Sequence, residues 1–150
     1  MYKRILVPVD GSPTSRRGME EAVNLAKTLG AAVRLVHIVD ETPLTLNPET
    51  ASATGSLMEQ FAANGRQVLA EAEAAAKAAG IPVSTSMHEN IAGRVADRVL
   101  EEAASWPADL VVMGTHGRRG LSHAVLGSDA EAVVRSATVP VLLVRSPQGA

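Results

Sequence analysis

"ADLVVMGTHGRRGLSHAVLGSDAEAVV", residues 108–134, changes character twice within a short span. Leu110 to Met113 is an unbroken apolar run, which suits a parallel strand covered on both faces, and a strand is expected over 108–113. The next residues are dominated by glycines at 114, 117, 120 and 127, with Arg118, Arg119, His116 and His123 among them. Almost nothing in that part belongs in a core. From Ser128 to Ala137 the pattern turns helical. A buried strand, a glycine-rich loop and a helix in that order form the basic unit of an α/β fold.

The rest of the chain repeats the alternation. "RILVPVD" (4–10) reads as a buried strand, followed by a helix over 12–30 in which Met19, Ala22, Val23, Ala26 and Leu29 recur at helical spacing. Ser12 suits the N-cap, Pro13 the first helical position and Gly30 the residue just past the end. A second strand is expected at 32–40. Residues 41–56 are rich in Thr, Ser and Pro without period and read as a loop. A helix then runs from Leu57 to Ala79, and a weaker, more polar strand at 81–89 belongs at an edge. The helix at 91–106 turns Ile91, Val95, Val99, Leu100 and Ala103 to one face, and "VPVLLVR" (139–145) is the last strand. This order predicts one domain over residues 1–150, an open parallel five-stranded sheet of order 3-2-1-4-5 with helices on both faces, Rossmann-like.

Composition bounds the function. The chain has 150 residues, 46% hydrophobic and 20% charged, with one Trp, one Tyr and one Phe. A formal charge of −2 and so few aromatics argue against nucleic acid or an anionic membrane as partner. The absence of cysteine excludes a disulfide frame, a thiol nucleophile and Cys-ligated zinc. No run reaches the ~18 apolar residues of a membrane span, and the N-terminus lacks a secretory pattern, so a cytoplasmic location is expected.

In the expected order the chain reverses direction between strands 1 and 4, and open α/β sheets bind ligands beyond the carboxyl ends of their strands at such a reversal. The glycine-rich loop begins there. Ser128 and the amides after it would offer N–H groups and the positive helix end to a phosphate, with Arg118 or Arg119 neutralising it. Asp10 would accept from ribose hydroxyls or help hold Mg²⁺. Pro8, Val9, Ile38 and Met113 would form an apolar slot for a flat base. Each part also has a plain structural reading: Ser128 as a mere N-cap, Asp10 as the cap of the next turn, the arginines as solvated charge. P-loop and dinucleotide fingerprints are absent, the four histidines lack metal-ligand spacing, and no G-x-S-x-G elbow occurs. Glu20-Glu21 and Glu101-Glu102 read as solvated helix charge. No base stands beside a nucleophile, so no enzyme is evident and no metal site of the protein's own is expected.

Gly114-Thr-His-Gly117, nine residues, then Gly127-Ser128 matches the G-x2-G-x9-G-[ST] signature of ATP-binding universal stress protein (UspA-like) domains, which the chain resembles over essentially its whole length. "ILVPVDGS", "LVHIVD" and "VPVLLVR" are similar to that family's first, second and last strands. The resemblance implies ATP, ADP or AMP in the crevice, with Asp10 at the ribose and Val9, Ile38 and Met113 at the adenine. Gly114, His116, Gly117, Gly127, Ser128 and the amides of Asp129 and Ala130 would surround ribose and phosphates. It also implies a homodimer and a role in stress tolerance, usually without a defined reaction. Many ATP-binding relatives have a small or neutral residue where Asp129 stands. At ~4 Å and an effective dielectric near 20, a carboxylate facing a phosphate there costs ~4 kcal/mol, less with Mg²⁺ or a shorter nucleotide. The apolar strand 139–145 would be an open edge, and pairing with its own copy would cover it. Two other functions stay open: a nucleotide-independent interaction module and a slow ATP hydrolase.

Overall fold

The computed structural model describes residues 1–41, 54–90, 92–116 and 126–147. Five strands, β1 (Arg4–Pro8), β2 (Ala32–Asp40), β3 (Val83–Asn90), β4 (Leu110–Gly114) and β5 (Val141–Val144), alternate with four helices. The helices are α1 (Pro13–Leu29), α2 (Thr54–Ala78), α3 (Val95–Ser105) and α4 (Ser128–Ser136). The sheet is parallel throughout and its order is β3-β2-β1-β4-β5, as the alternation predicts.

Period-two alternation sends each strand's residues to two cores. Ile5, Val7, Val33, Leu35, Leu110 and Val112 lie under α1 and α2 with Met19, Ala22, Leu69 and Ala72. Leu6, Val36, Val111 and Met113 lie under α3 and α4 with Ala96, Val99, Ala130 and Val133. All five residues of β4 are buried, as a strand covered on both faces must be.

The α1 boundaries fall where the sequence signals place them. The Ser12 hydroxyl accepts from Ser15 N–H at 3.2 Å, Pro13 opens the helix, and Gly30 closes it in the left-handed region at φ 66°. Other boundaries differ by a few residues. β1 ends at Pro8 rather than Asp10, because the chain turns away at Gly11, whose φ is 81°. α2 begins at Thr54, three residues before the expected Leu57. α3 begins only at Val95, after Gly93 at φ 93°; Ile91 lies outside the described residues. Residues 42–53 of the expected loop do so as well.

Candidate functional site

The crevice is built where β1 and β4, neighbours in the sheet, reach their carboxyl ends. Past Pro8 the turn is held by a series of hydrogen bonds. Val9 N–H donates to Val36 O at 2.8 Å, extending the ladder by one residue, and Val9 O accepts from His37 Nδ1 at 2.8 Å. Asp10 N–H donates to Ser15 Oγ at 3.1 Å, and Asp10 Oδ1 accepts from Ser12 N–H at 2.8 Å. Asp10 therefore caps the turn, with its second carboxylate oxygen left outside that bond; the carboxylate itself is half-buried.

The end of β4 lies hard against the start of α1. A Cβ on Gly114 would stand 2.8 Å from the carbonyl of Thr14, and one on Gly18 would stand 3.1 Å from Gly114 N. Only glycine at 114 lets the helix sit this close, and that contact holds the Asp10 turn beside the strand end. Beyond β4, Thr115 N–H donates to Val144 O at 3.0 Å, and Thr115 O accepts from Gly127 N–H at 2.8 Å. A Cβ on Gly127 would approach that same Thr115 oxygen to 2.9 Å. The first and last glycines of the spacing are thus explained by close approach to backbone.

Gly127 is the N-cap of α4, so Ser128 is not; it occupies the first helical position. The earliest bond of that helix runs from Glu131 N–H to Gly127 O at 2.9 Å, so the amides of Ser128, Asp129 and Ala130 have no acceptor within the helix. Ser128 and Asp129 are exposed, whereas Ala130 is buried against β4. Asp129 and Glu131 both lie in the first turn, where the helix dipole favours them. Beside this helix end, Thr115 Oγ1 and His116 Nδ1 are buried without a hydrogen-bond partner among the described residues. Gly117, Arg118 and Arg119 fall outside the described residues.

The four residues expected to form an apolar slot do not share one face of the sheet. Met113 and Ile38 belong to the α3–α4 side, and Pro8, two residues on from Leu6, shares that face. Val9 points the other way. Its side chain is buried with the α1–α2 core and lines a separate cleft of about 410 Å³, with Gly11, Met19, Asn64, Val68 and Ala72. Strand alternation alone requires this, since Pro8 and Val9 are adjacent.

A second polar cluster corrects the reading of Glu102 as solvated charge. Its side chain is 5% exposed. Oε1 accepts from Arg34 Nη1 at 3.0 Å and Oε2 lies 2.6 Å from His88 Nε2, while Arg34 also reaches Ser84 Oγ at 3.0 Å and stacks 4.9 Å from the Trp106 ring. Burial, the largest influence, pushes the Glu102 carboxyl up, but the bonds and charges of His88 and Arg34 together hold it below the ordinary glutamate value. Ser86 Oγ is 3.1 Å from the same His88 Nε2. An ionised carboxylate only accepts, so Nε2 carries a proton and cannot take one from Ser86; Ser86, His88 and Glu102 are no hydrolytic relay. Elsewhere, Asp97 is lowered chiefly by a hydrogen bond from Arg94, and Glu41 is raised by burial and then by Glu89. No group of three or more His, Asp or Glu suited to a metal ion occurs among the described residues, and none of their helices is long and apolar enough to cross a membrane.

Reading the residues in sequence missed Thr115, His37 and Ser15. The signal for His37 was present: in "LVHIVD" it alternates with Leu35 and Val39 toward a core, where an imidazole requires a partner.

Comparison with known proteins agrees with this architecture. The universal stress protein MJ0531 of Methanocaldococcus jannaschii is 36% identical over 99% of this chain and 85% of its own length. The solved structure of the hypothetical protein MJ0577 superposes with TM-score 0.87 at 23% identity, covering 99% of each chain. A universal stress protein solved in complex with cAMP superposes with TM-score 0.68 at 26% identity, covering 96% of this chain and 97% of its own. A family model, the universal stress protein family, matches residues 1–145. With that coverage and the sheet order it accompanies, the chain belongs to the universal stress protein family.

Proposed function

We propose that this chain binds an adenine nucleotide in the crevice at the ends of β1 and β4 and serves, as a cytoplasmic homodimer, as a sensor or regulator in the stress response. One observation carries the reading. Three successive amides without helical acceptors open α4 beside two buried polar atoms, Thr115 Oγ1 and His116 Nδ1, that lack partners among the described residues. Such an end favours an anion, and buried polar atoms of this kind are satisfied by a bound polar group. The universal stress protein solved with cAMP supports the same ligand class.

In this reading the amides of Ser128, Asp129 and Ala130, with Gly127 and the Ser128 hydroxyl, receive the phosphates. Gly114, His116 and the Asp10 carboxylate meet the ribose. Pro8, Ile38 and Met113 take the base, while Val9 contributes backbone only. Gly117, Arg118 and Arg119 belong to the phosphate end. Asp129 is offset when Mg²⁺ accompanies the nucleotide, near Asp10. The dimer forms through β5, whose Leu142 is exposed.

Calorimetric titration with ATP and ADP, with and without Mg²⁺, tests the site. Saturable binding strengthened by Mg²⁺ is expected, and Asp10→Asn, which keeps an acceptor for Ser12 N–H, should weaken it about tenfold. No binding at millimolar nucleotide overturns the reading. That outcome, with an intact dimer, would favour the nucleotide-independent interaction module; phosphate release sensitive to His116→Ala would instead point to slow hydrolysis.

A further inference from the structure

We propose that His37 is a prop behind the nucleotide-binding turn, transmitting the seating of α2 on one face of the sheet to the Val9 carbonyl and so setting the affinity of the crevice on the other. The proposal rests on the nucleotide reading and names how that site is controlled.

His37 sits in the middle of β2 and is 6% exposed, on the face covered by α2. A carbonyl oxygen can only accept, so the 2.8 Å contact with Val9 O requires a proton on His37 Nδ1 in either charge state. That bond holds the last carbonyl before Asp10, the residue whose carboxylate meets the ligand in the proposed site. Val9 N–H is held from β2 as well, at Val36 O, so both polar groups of Val9 are fixed from the same strand.

The opposite edge of the ring is closed by α2. A Cβ on Gly65 would lie 2.6 Å from His37 Cδ2 and 2.9 Å from Nε2, with Met87 Sδ 3.2 Å away. Gly65 thus lets the helix backbone rest directly on the imidazole. A displacement of α2 toward the sheet would press on this edge of the ring, while Nδ1 on the other side is bonded to the turn. The same helix supplies Asn64 and Val68 to the cleft that Val9 and Gly11 also line. Helix, ring and turn form one contiguous stack, with the slot residues Pro8, Ile38 and Met113 on its far side.

Three variants and two ligands test this by calorimetry, each well below the variant's Tm. His37→Phe keeps a ring but removes the donor, and should weaken ATP about tenfold. His37→Asn, whose amide donates from near the position of Nδ1, should stay within about threefold of the parent. Gly65→Ala should weaken ATP in the parent and have no effect in the His37→Asn background, where the ring is gone. Inorganic tripolyphosphate, which engages only the helix end, should be insensitive to all three. A fall in Tm with unchanged ATP affinity in His37→Phe and Gly65→Ala would overturn the prop and leave His37 a structural residue. If His37→Phe does not fold, Gly65→Ala and the imidazole ¹⁵N signals of the parent decide: no shift at Nδ1 on saturation with ATP overturns the proposal. Failure of the parent to bind ATP would instead remove the underlying site reading.

Discussion

The two edges of the sheet solve opposite problems. β3 is polar along the face beneath α3, where Arg34 engages Ser84, Glu102 engages His88, and Ser86 lies against His88 within the chain. β5 is apolar from end to end, and Leu142 remains 38% exposed. An edge strand whose side chains are bound within its own subunit is blunted against association, while a bare apolar edge invites it. In the proposed homodimer, β5 rather than β3 is therefore the edge suited to pairing.

The sharpest way to break the contrast is to charge each edge in turn. Leu142→Lys places like charges near one another across a two-fold pairing of β5 and should weaken the dimer by about 3 kcal/mol or more, read by sedimentation equilibrium. Thr85→Lys on β3 should leave association unchanged; an equal loss from both would erase the distinction. Next in size, Glu102→Ala strips the β3 side of its shared acceptor and should lower unfolding stability by about 2 kcal/mol without altering association. Acid should act through the same carboxylate, more gently. Its depressed value means that its stabilisation is complete above the ordinary glutamate range and fades as pH falls through the lowered one. Urea midpoints should therefore drop on acidification in the parent, and Glu102→Gln should show a flatter profile; parallel profiles would remove Glu102 from the account.

Much of this frame was legible in the residues themselves. Apolar runs at β1, β2 and β4 and the Ser12, Pro13 and Gly30 punctuation of α1 act locally, so local reading found them. The spacing of Gly114 and Gly127 pointed to the crevice because glycine marks close backbone approach, which the structure shows at Thr14 and Thr115. What escaped depended on contacts far apart in sequence. Glu102 looked like helix surface because its partners, Arg34 and His88, lie on other elements. Val9 is different in kind, since strand alternation, a local rule, already turns it to the face opposite Pro8. His37 is bound to Val9, 28 residues away, and no helix or strand pattern encodes that pairing.

The bond from Gly127 N–H to Thr115 O ties the two roots of the intervening stretch together at 2.8 Å. Chain-closure entropy rises only by about 0.6 kcal/mol for each doubling of length, so insertions or wholesale replacement there should be tolerated thermodynamically. A graft there would therefore spare the scaffold while rewriting whatever the stretch contributes to ligand recognition.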